Sequence, residues 1–455
     1  MVRIVAGQGD TVTPAVKVDE SRFRDFWQHQ IRTGEVFVTE GGEPLRVVYP
    51  GRPNDRRGAD FRDAVVIAGG ELRTGDVEIH LDSTDWKEHG HHRDGCYDRV
   101  ILHVVMHHND GNETVLRNGR AVPVLNLGKH IDLSRYLREE HIPEETSFVP
   151  CRLAGRKQTA HRVRAVLEDE GEVRFFEKSG RFLSLIEHNG GPETLYRAFM
   201  RALGYAGNTD PFLELACRVP LSVVEKDRQG ARTDEEYIKK CQALLLGSAG
   251  FFLPDLRCKL RTAVPDPERA AGLENTWLQD GRREVMPGSA WRFFRIRPVH
   301  SPVRRLLAMG VLLGNYRSSG LCDGLMKTME LSGDSRDVEQ ALTVTGDGYG
   351  MPGALLGRGC AAAVTLNVLL PFSFALHCLP GTPGTDRGRE KILALYRRYP
   401  RVADNSLEKH MEAQLGIRRS DITSARQQQG LIHIYNTYCA RGRCGDCGLG
   451  ESEAG

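Results

Sequence analysis

Two short runs confine what this chain can build: Gly58-Ala59-Asp60-Phe61-Arg62-Asp63-Ala64 and, one hairpin later, Gly75-Asp76-Val77-Glu78-Ile79-His80. Between them stand Val65-Val66-Ile67-Ala68, the pair Gly69-Gly70, and Glu71-Leu72-Arg73-Thr74. β-Branched residues on one side of two glycines, with a second alternating run beyond, predict strand, tight turn, strand. Side chains two apart on a strand share a face, so Glu78 and His80 point the same way. Asp60 stands near the start of the partner strand. A carboxylate from each strand, aimed at one spot, can hold a hard divalent cation such as Mg²⁺ or Mn²⁺. Such a cation activates water and stabilises a phosphoryl transition state. The plainer alternative is a hairpin with exposed acidic residues.

This Asp followed by Glu-x-His resembles the PD-(D/E)XK nuclease superfamily, in which an Asp opens the second strand and the third carries Glu-x-Lys. The resemblance implies an α+β fold with a mixed sheet of restriction-endonuclease-like type. It implies metal ligation by Asp60, Glu78 and the backbone carbonyl of Ile79, with a further carboxylate from Glu20 on the first helix. His80 falls where the motif has Lys. An imidazole can orient or deprotonate water near neutral pH; alternatively, the change marks a fold whose chemistry has altered or been lost.

Longer runs carry a second resemblance. They are Phe26-Trp27-Gln28-His29, Tyr49-Pro50-Gly51-Arg52-Pro53-Asn54, Gly75 to Leu81, Asp85-Trp86-Lys87-Glu88-His89-Gly90-His91, Tyr97 to Val105, Asn367 to Phe372, and the tail from Tyr435 to Cys447. In this order they resemble a bacterial family, the domain of unknown function numbered 2851. That resemblance implies no activity, so chemistry has to come from the residues.

The 455 residues exceed what one core usually organises, so two or three domains are expected. A hydrophobic content of 40% with 27% charged residues fits a globular chain. With 62 basic and 60 acidic residues, net charge gives no general attraction to nucleic acid, and any such binding has to rest on a local patch. No apolar run is read as spanning a bilayer, and the N-terminus lacks the apolar core of a signal peptide, so the cytoplasm is the expected compartment and no membrane partner is expected. Eleven cysteines in a reduced compartment argue against a disulfide framework.

Phe23, Phe26 and Trp27 recur at helical spacing and predict a first helix. Strands are expected at Val36–Val38, Leu45–Tyr49, Val65–Leu81 and Arg99–His107, with Val122–Leu127 at an edge because of Pro123. From about residue 150 the pattern turns helical, including Ala160–Gly171, Val173–Asn189, Glu193–Leu203, Glu235–Leu246, Pro302–Leu313, Ala361–Leu376 and Lys391–Tyr399. The expected organisation is an α/β domain over 1–150, a helical domain over 151–430, and a Cys-rich tail over 431–455 packed on the helical domain.

Three constellations carry further chemistry. Asp85, His89, His91 and Tyr97 lie in a His-rich link after His80 and can bind substrate or a transition metal; for His92, His107 and His108 an exposed polar loop is the better reading. Trp86 reads as a packing anchor. Cys439, Cys444 and Cys447, interleaved with Gly442 and Gly445, have the close spacing of a zinc or iron–sulfur site. A fourth ligand is sought among Cys322, Cys360, Cys378 and His433. Arg295 and Arg297 would share one face of an extended segment and could contact phosphates, although ion pairs with neighbouring helices are the better explanation.

The leading functional expectation is a metal-dependent phosphodiesterase acting on DNA or RNA. Its rivals are a non-catalytic nucleic-acid- or protein-binding module on a degenerate nuclease fold, and a His-rich metal hydrolase of a small molecule.

Overall fold

The computed structural model describes residues 19–450 apart from 32, 34, 110, 112, 131–150, 152–159, 206, 227, 282–283, 294–295, 297–299, 350, 352 and 381–384. The architecture is mixed α+β, with an N-terminal mixed sheet followed by a mostly helical region. Two compact units emerge: Met1–Gly171 with Asp404–Ile422 and Gln427–Gly455, and Glu172–Ala403 with Thr423–Arg426.

In the first unit, helix α1 (Glu20–Gln30) starts at Asp19, whose carboxylate accepts a hydrogen bond from the Arg22 N–H at 2.9 Å. That bond satisfies one of the donors left open at a helix start. Phe23, Phe26 and Trp27 form its buried stripe, and the Trp27 indole N–H donates to the Pro50 carbonyl at 2.9 Å.

The sheet comprises β1 (Val36–Val38), β2 (Pro44–Tyr49), β3 (Arg52–Pro53), β4 (Phe61–Ala68), β5 (Glu71–Asp82), β6 (Val100–His107) and β9 (Val124–Asn126). A separate small hairpin pairs β7 (Thr114–Val115) with β8 (Ala121–Val122). The order is β1-β2-β4-β5-β6-β9, with β3 beside β4. The pairs from β1 to β5 are antiparallel, and β5-β6 and β6-β9 are parallel. A short helix, α2 (Asp85–Glu88), lies in the connection between β5 and β6. Gly69 and Gly70, at φ 58° and 84°, make the β4–β5 turn, a conformation glycine adopts without a Cβ penalty.

Alternation along β5 and β6 sorts their side chains. Val77, Ile79, Leu102 and Val104 join Phe23, Trp27 and Phe37 in one apolar core. Glu78, His80 and His103 therefore face the other way. β4 carries a register shift between Phe61 and Ala64, and within it Asp63 takes φ 58°. Asp63 is held there by Arg99 at 3.0 Å and the Tyr435 hydroxyl at 3.0 Å.

In the second unit, helix Pro302–Asn315 is buried over nearly its whole length and packs against helix Asp234–Ser248. Glycine makes the approach feasible: a Cβ on Gly314 would stand 2.2 Å from the Ile238 side chain. The Gln242 amide donates to the Leu307 carbonyl at 3.0 Å, so the one buried amide in this contact is satisfied. The expected Asp266 cap with Pro267 at the first helical position is present.

Several expectations need correction. Ala160–Asn189 is one helix without a break at Gly171, since a single interior glycine costs only about 1 kcal/mol. The Ala361–Leu376 segment is α-helix Arg358–Val364, a π-turn Thr365–Leu369 and α-helix Leu370–Leu376. The wide turn directly precedes Pro371, whose ring and missing N–H disturb the bond to the carbonyl four residues back. Arg358–Leu376 is also long and apolar enough to cross a bilayer by length and composition, contrary to the sequence reading, with 67% of it buried inside the protein. Finally, the tail belongs to the first unit. Leu431, Ile434, Tyr435, Cys439 and Leu449 share a core with Tyr49, Val65, Val163 and Leu167. Local periodicity shows that a helix has an apolar face but not which distant surface covers it.

Candidate metal centre

The hairpin register places Phe61 opposite Val77, and so brings Asp60 beside Glu78. The Asp60 N–H donates to Glu78 Oε2 at 2.9 Å, and the Ile79 N–H donates to Asp60 Oδ2 at 3.1 Å. The other Asp60 oxygen takes Arg24 Nη1 at 2.8 Å. Arg24 lies one helical turn from Glu20, so one face of α1 supplies both groups. Burial and then the Asp60 charge raise the proton affinity of the Glu20 carboxyl.

The remaining Glu78 oxygen, Oε1, faces imidazoles. It is 3.2 Å from His91 Nε2 and 3.5 Å from His80 Nε2. His89 Nδ1 lies 3.3 Å from the same His80 nitrogen. One donor atom from each of His80, His89 and His91 lies within 4.8 Å of the other two. His80 and Glu78 are buried, whereas His89 is exposed and marks the open side of the cluster. Gly90, at φ 77°, reverses the chain between His89 and His91.

A chain of hydrogen bonds fixes His80 from behind. Its Nδ1 pairs with His103 Nε2 at 2.9 Å, and His103 Nδ1 pairs with Thr114 Oγ1 at 2.8 Å. If each ring donates through Nδ1–H, the His80 Nε2 lone pair points into the cluster. This is the arrangement in which an outer partner orients a metal-ligating histidine. Burial, then His103 and the other imidazoles, push the His80 pKa down to about 2, so the ring stays neutral. Burial also lowers that of His91. Burial first, and the Asp60 charge second, raise the Glu78 pKa well above the usual carboxylate range. A buried carboxyl and three imidazoles are a donor set that fits a divalent ion. Imidazole is the ligand of zinc and similar transition metals, while carboxylate also suits manganese and magnesium.

The expected site residues thus divide. Asp60, Glu78 and His80 come together, His89 and His91 join them, and the Ile79 backbone is bound to Asp60. Tyr97 stacks on His91 with centroids 3.9 Å apart. Asp85 opens α2 and is close enough to Glu20 to raise its proton affinity. Trp86 is buried and its indole N–H donates to the Val115 carbonyl at 3.1 Å, so it packs rather than presents a stacking face. Arg295 and Arg297 lie outside the described residues. Cys439, Cys444 and Cys447 lie in the first unit with His433, which is 3.3 Å from Glu170 Oε2. Cys322, Cys360 and Cys378 belong to the second unit.

Sequence reasoning gave no role to Arg24 or Thr114, and it counted His103 only among the imidazoles able to bind a transition metal, not as the partner of His80. Arg24 had a local signal, its four-residue spacing from Glu20. The other two had none, because strand pairing alone sets His103 beside Glu78.

A family model matches residues 20–349, which include every residue of this cluster. The chain belongs to the family of proteins of unknown function DUF2851. No curated protein and no solved structure matches it. The DUF2851 match covers the sheet of the first unit and much of the second unit, and it stops short of Cys439.

Proposed function

We propose that the Glu78–His80–His89–His91 cluster is a hydrolytic metal centre that cleaves phosphodiester bonds of nucleic acid. The observation that carries this reading is the convergence of three imidazole nitrogens and Glu78 Oε1 beside Asp60. The strand positions support it as well. An acid immediately before β4 and a Glu-x-His on the next strand, β5, follow the order that the PD-(D/E)XK resemblance implies.

Glu78, His80, His89 and His91 would hold the ion, with Asp60 alongside. The imidazoles favour manganese or zinc over magnesium. A bound divalent ion would supply water made acidic enough to attack at neutral pH and a charge to polarise a phosphoryl oxygen. His80, kept neutral and tied back to His103, serves as a lone-pair donor rather than as the proton acceptor that the Lys position suggests. The carboxyl of Glu20, with its raised proton affinity, is the group assigned to take a proton from water. The Arg24 guanidinium, partly exposed and already beside Asp60, is placed to meet a phosphate oxygen.

The test is cleavage of single- and double-stranded DNA and RNA by chelator-treated protein resupplied with Mn²⁺, Zn²⁺ or Mg²⁺. Mn²⁺- or Zn²⁺-dependent cleavage that disappears in Glu78→Gln supports the reading. Stoichiometric metal binding with turnover of small phosphoesters alone would transfer it to a small-molecule hydrolase. Nucleic-acid binding with neither metal nor cleavage would leave a non-catalytic module.

A further inference from the structure

The C-terminal thiols have a partner that no motif in the sequence announces. Cys151 is buried, and nearly three hundred positions along the chain it shares an apolar core with Cys439 and Cys447. One side chain links the first two: the Gln414 amide nitrogen donates to Cys151 Sγ at 3.3 Å and to Cys439 Sγ at 3.6 Å. The orientation of that amide is fixed from its other end, where Gln414 Oε1 accepts from the Tyr49 hydroxyl at 3.1 Å.

The loop from Cys439 is shaped around its sulfurs. Cys439–Arg441 and Cys444–Asp446 form two single turns, and Gly442, at φ 65°, reverses the chain between them. Gly450 closes the loop with its N–H on the Cys447 carbonyl at 2.8 Å, and a Cβ there would strike the Cys444 carbonyl at 2.4 Å. The backbone N–H groups of Leu449 and Gly450 also reach the Cys447 sulfur. Amides donating to sulfur are the means by which a protein stabilises thiolate ligands. Cys444 and Cys447 lie close enough to Cys151 and Cys439, and Cys447 to Cys444, for their sulfurs to interact electrostatically. Four thiols gathered in a largely apolar pocket, with polar N–H groups aimed at three of the sulfurs, lack only positive charge.

We propose that Cys151, Cys439, Cys444 and Cys447 hold an iron–sulfur cluster that ties the C-terminal segment to the sheet of the first unit. A single zinc would draw its sulfurs to about 4 Å from one another. Among the described residues, only the histidine trio brings three donors within 4.8 Å of each other. No three of the four sulfurs meet that limit, and ligands spread over separate irons of one cluster need not. This assignment rests on nothing in the hydrolytic reading.

The experiment is anaerobic purification of the full chain, with iron, acid-labile sulfide and zinc measured per chain. The wild-type protein is expected to be brown, with visible charge-transfer absorbance and matching iron and sulfide. Cys151→Ser should lose bound iron by at least about tenfold, while Cys258→Ser, at an exposed thiol of the second unit, should keep it. Full iron in Cys151→Ser would remove Cys151 from the site. One zinc per chain without iron would overturn the cluster. Should Cys151→Ser fail to fold, alkylation of the wild-type protein decides the matter. Cys444 and Cys447 are only partly buried, so they should be protected natively and react once the cluster is stripped. Free reaction of both in the native anaerobic protein would defeat the proposal.

Discussion

The first unit holds two clusters of soft ligands that differ in what they need. Around Glu78 the imidazoles are hydrogen-bonded, and burial keeps the His80 ring neutral, backed by His103 and Thr114. Neutral rings can lie side by side without charge repulsion, so this site can form before any ion arrives. The four thiols are the opposite case. As thiolates they repel one another, and as thiols they are poor ligands, so the geometry around Gln414 is complete only with positive charge present. One cluster is preorganised by hydrogen bonds, and the other, under the iron–sulfur proposal, makes its ligand part of the fold.

The largest effect that could break this contrast is on stability. Cys444→Ser should destabilise the first unit by about 4–5 kcal/mol through loss of its centre. In hydrogen-exchange mass spectrometry, protection should fall over Asp404–Ile422 and the Tyr435–Gly450 stretch while the Asp234–Ser248 helix is unchanged. Uniform protection in both proteins would mean that the thiols contribute packing alone. This places the effect in the first unit, where the tail packs on Val163, Leu167, Met411 and Leu415 as well as on Tyr49 and Val65.

The next concerns activity. Glu78→Gln keeps an oxygen for the Asp60 N–H but removes the charged ligand, so metal-dependent cleavage should drop roughly a hundred- to thousand-fold. Its metal-free stability should hold or rise, because folding no longer has to keep a proton on a buried carboxyl next to Asp60. A fall in the chelator-treated melting temperature would contradict the picture of a site whose cost is borne by Glu78.

A third measurement sharpens the cysteine side. His410 Nε2 lies 2.7 Å from the Tyr49 hydroxyl that in turn holds Gln414. Burial, and then Arg52, lower its pKa from 6.5 to about 4. Between those values the unfolded chain binds more protons than the folded one. Stability is therefore full above about pH 6.5 and is lost as pH falls toward 4, by at most about 3 kcal/mol. Denaturant titrations across this range should show the slope, and His410→Gln should flatten it.

The smallest effect sharpens the histidine side. His103→Leu leaves the first ligands in place but removes the group that orients His80. Metal affinity, read by calorimetry, should weaken about 10- to 100-fold. An unchanged affinity would show that His80 does not bind the ion through Nε2.

Much of this was legible in the sequence wherever the information was local. Gly69-Gly70 announced the hairpin, and strand alternation put Glu78 and His80 on one face. The spacing of Phe23, Phe26 and Trp27 gave α1. The glycines among Cys439, Cys444 and Cys447 marked a tight loop. Each of these signals is a backbone preference or a period that a few neighbouring residues impose. What only the tertiary structure decided was long-range. The parallel pairing of β5 with β6 set His103 behind His80, and the turn at Gly90 swung His91 onto Glu78. Packing on Tyr49 and Val65 took the tail into the first unit, and Gln414 joined Cys151 to Cys439. Those contacts join residues with no periodic relation in the chain, and burial of apolar faces, which is non-directional, selects them only when the whole unit closes.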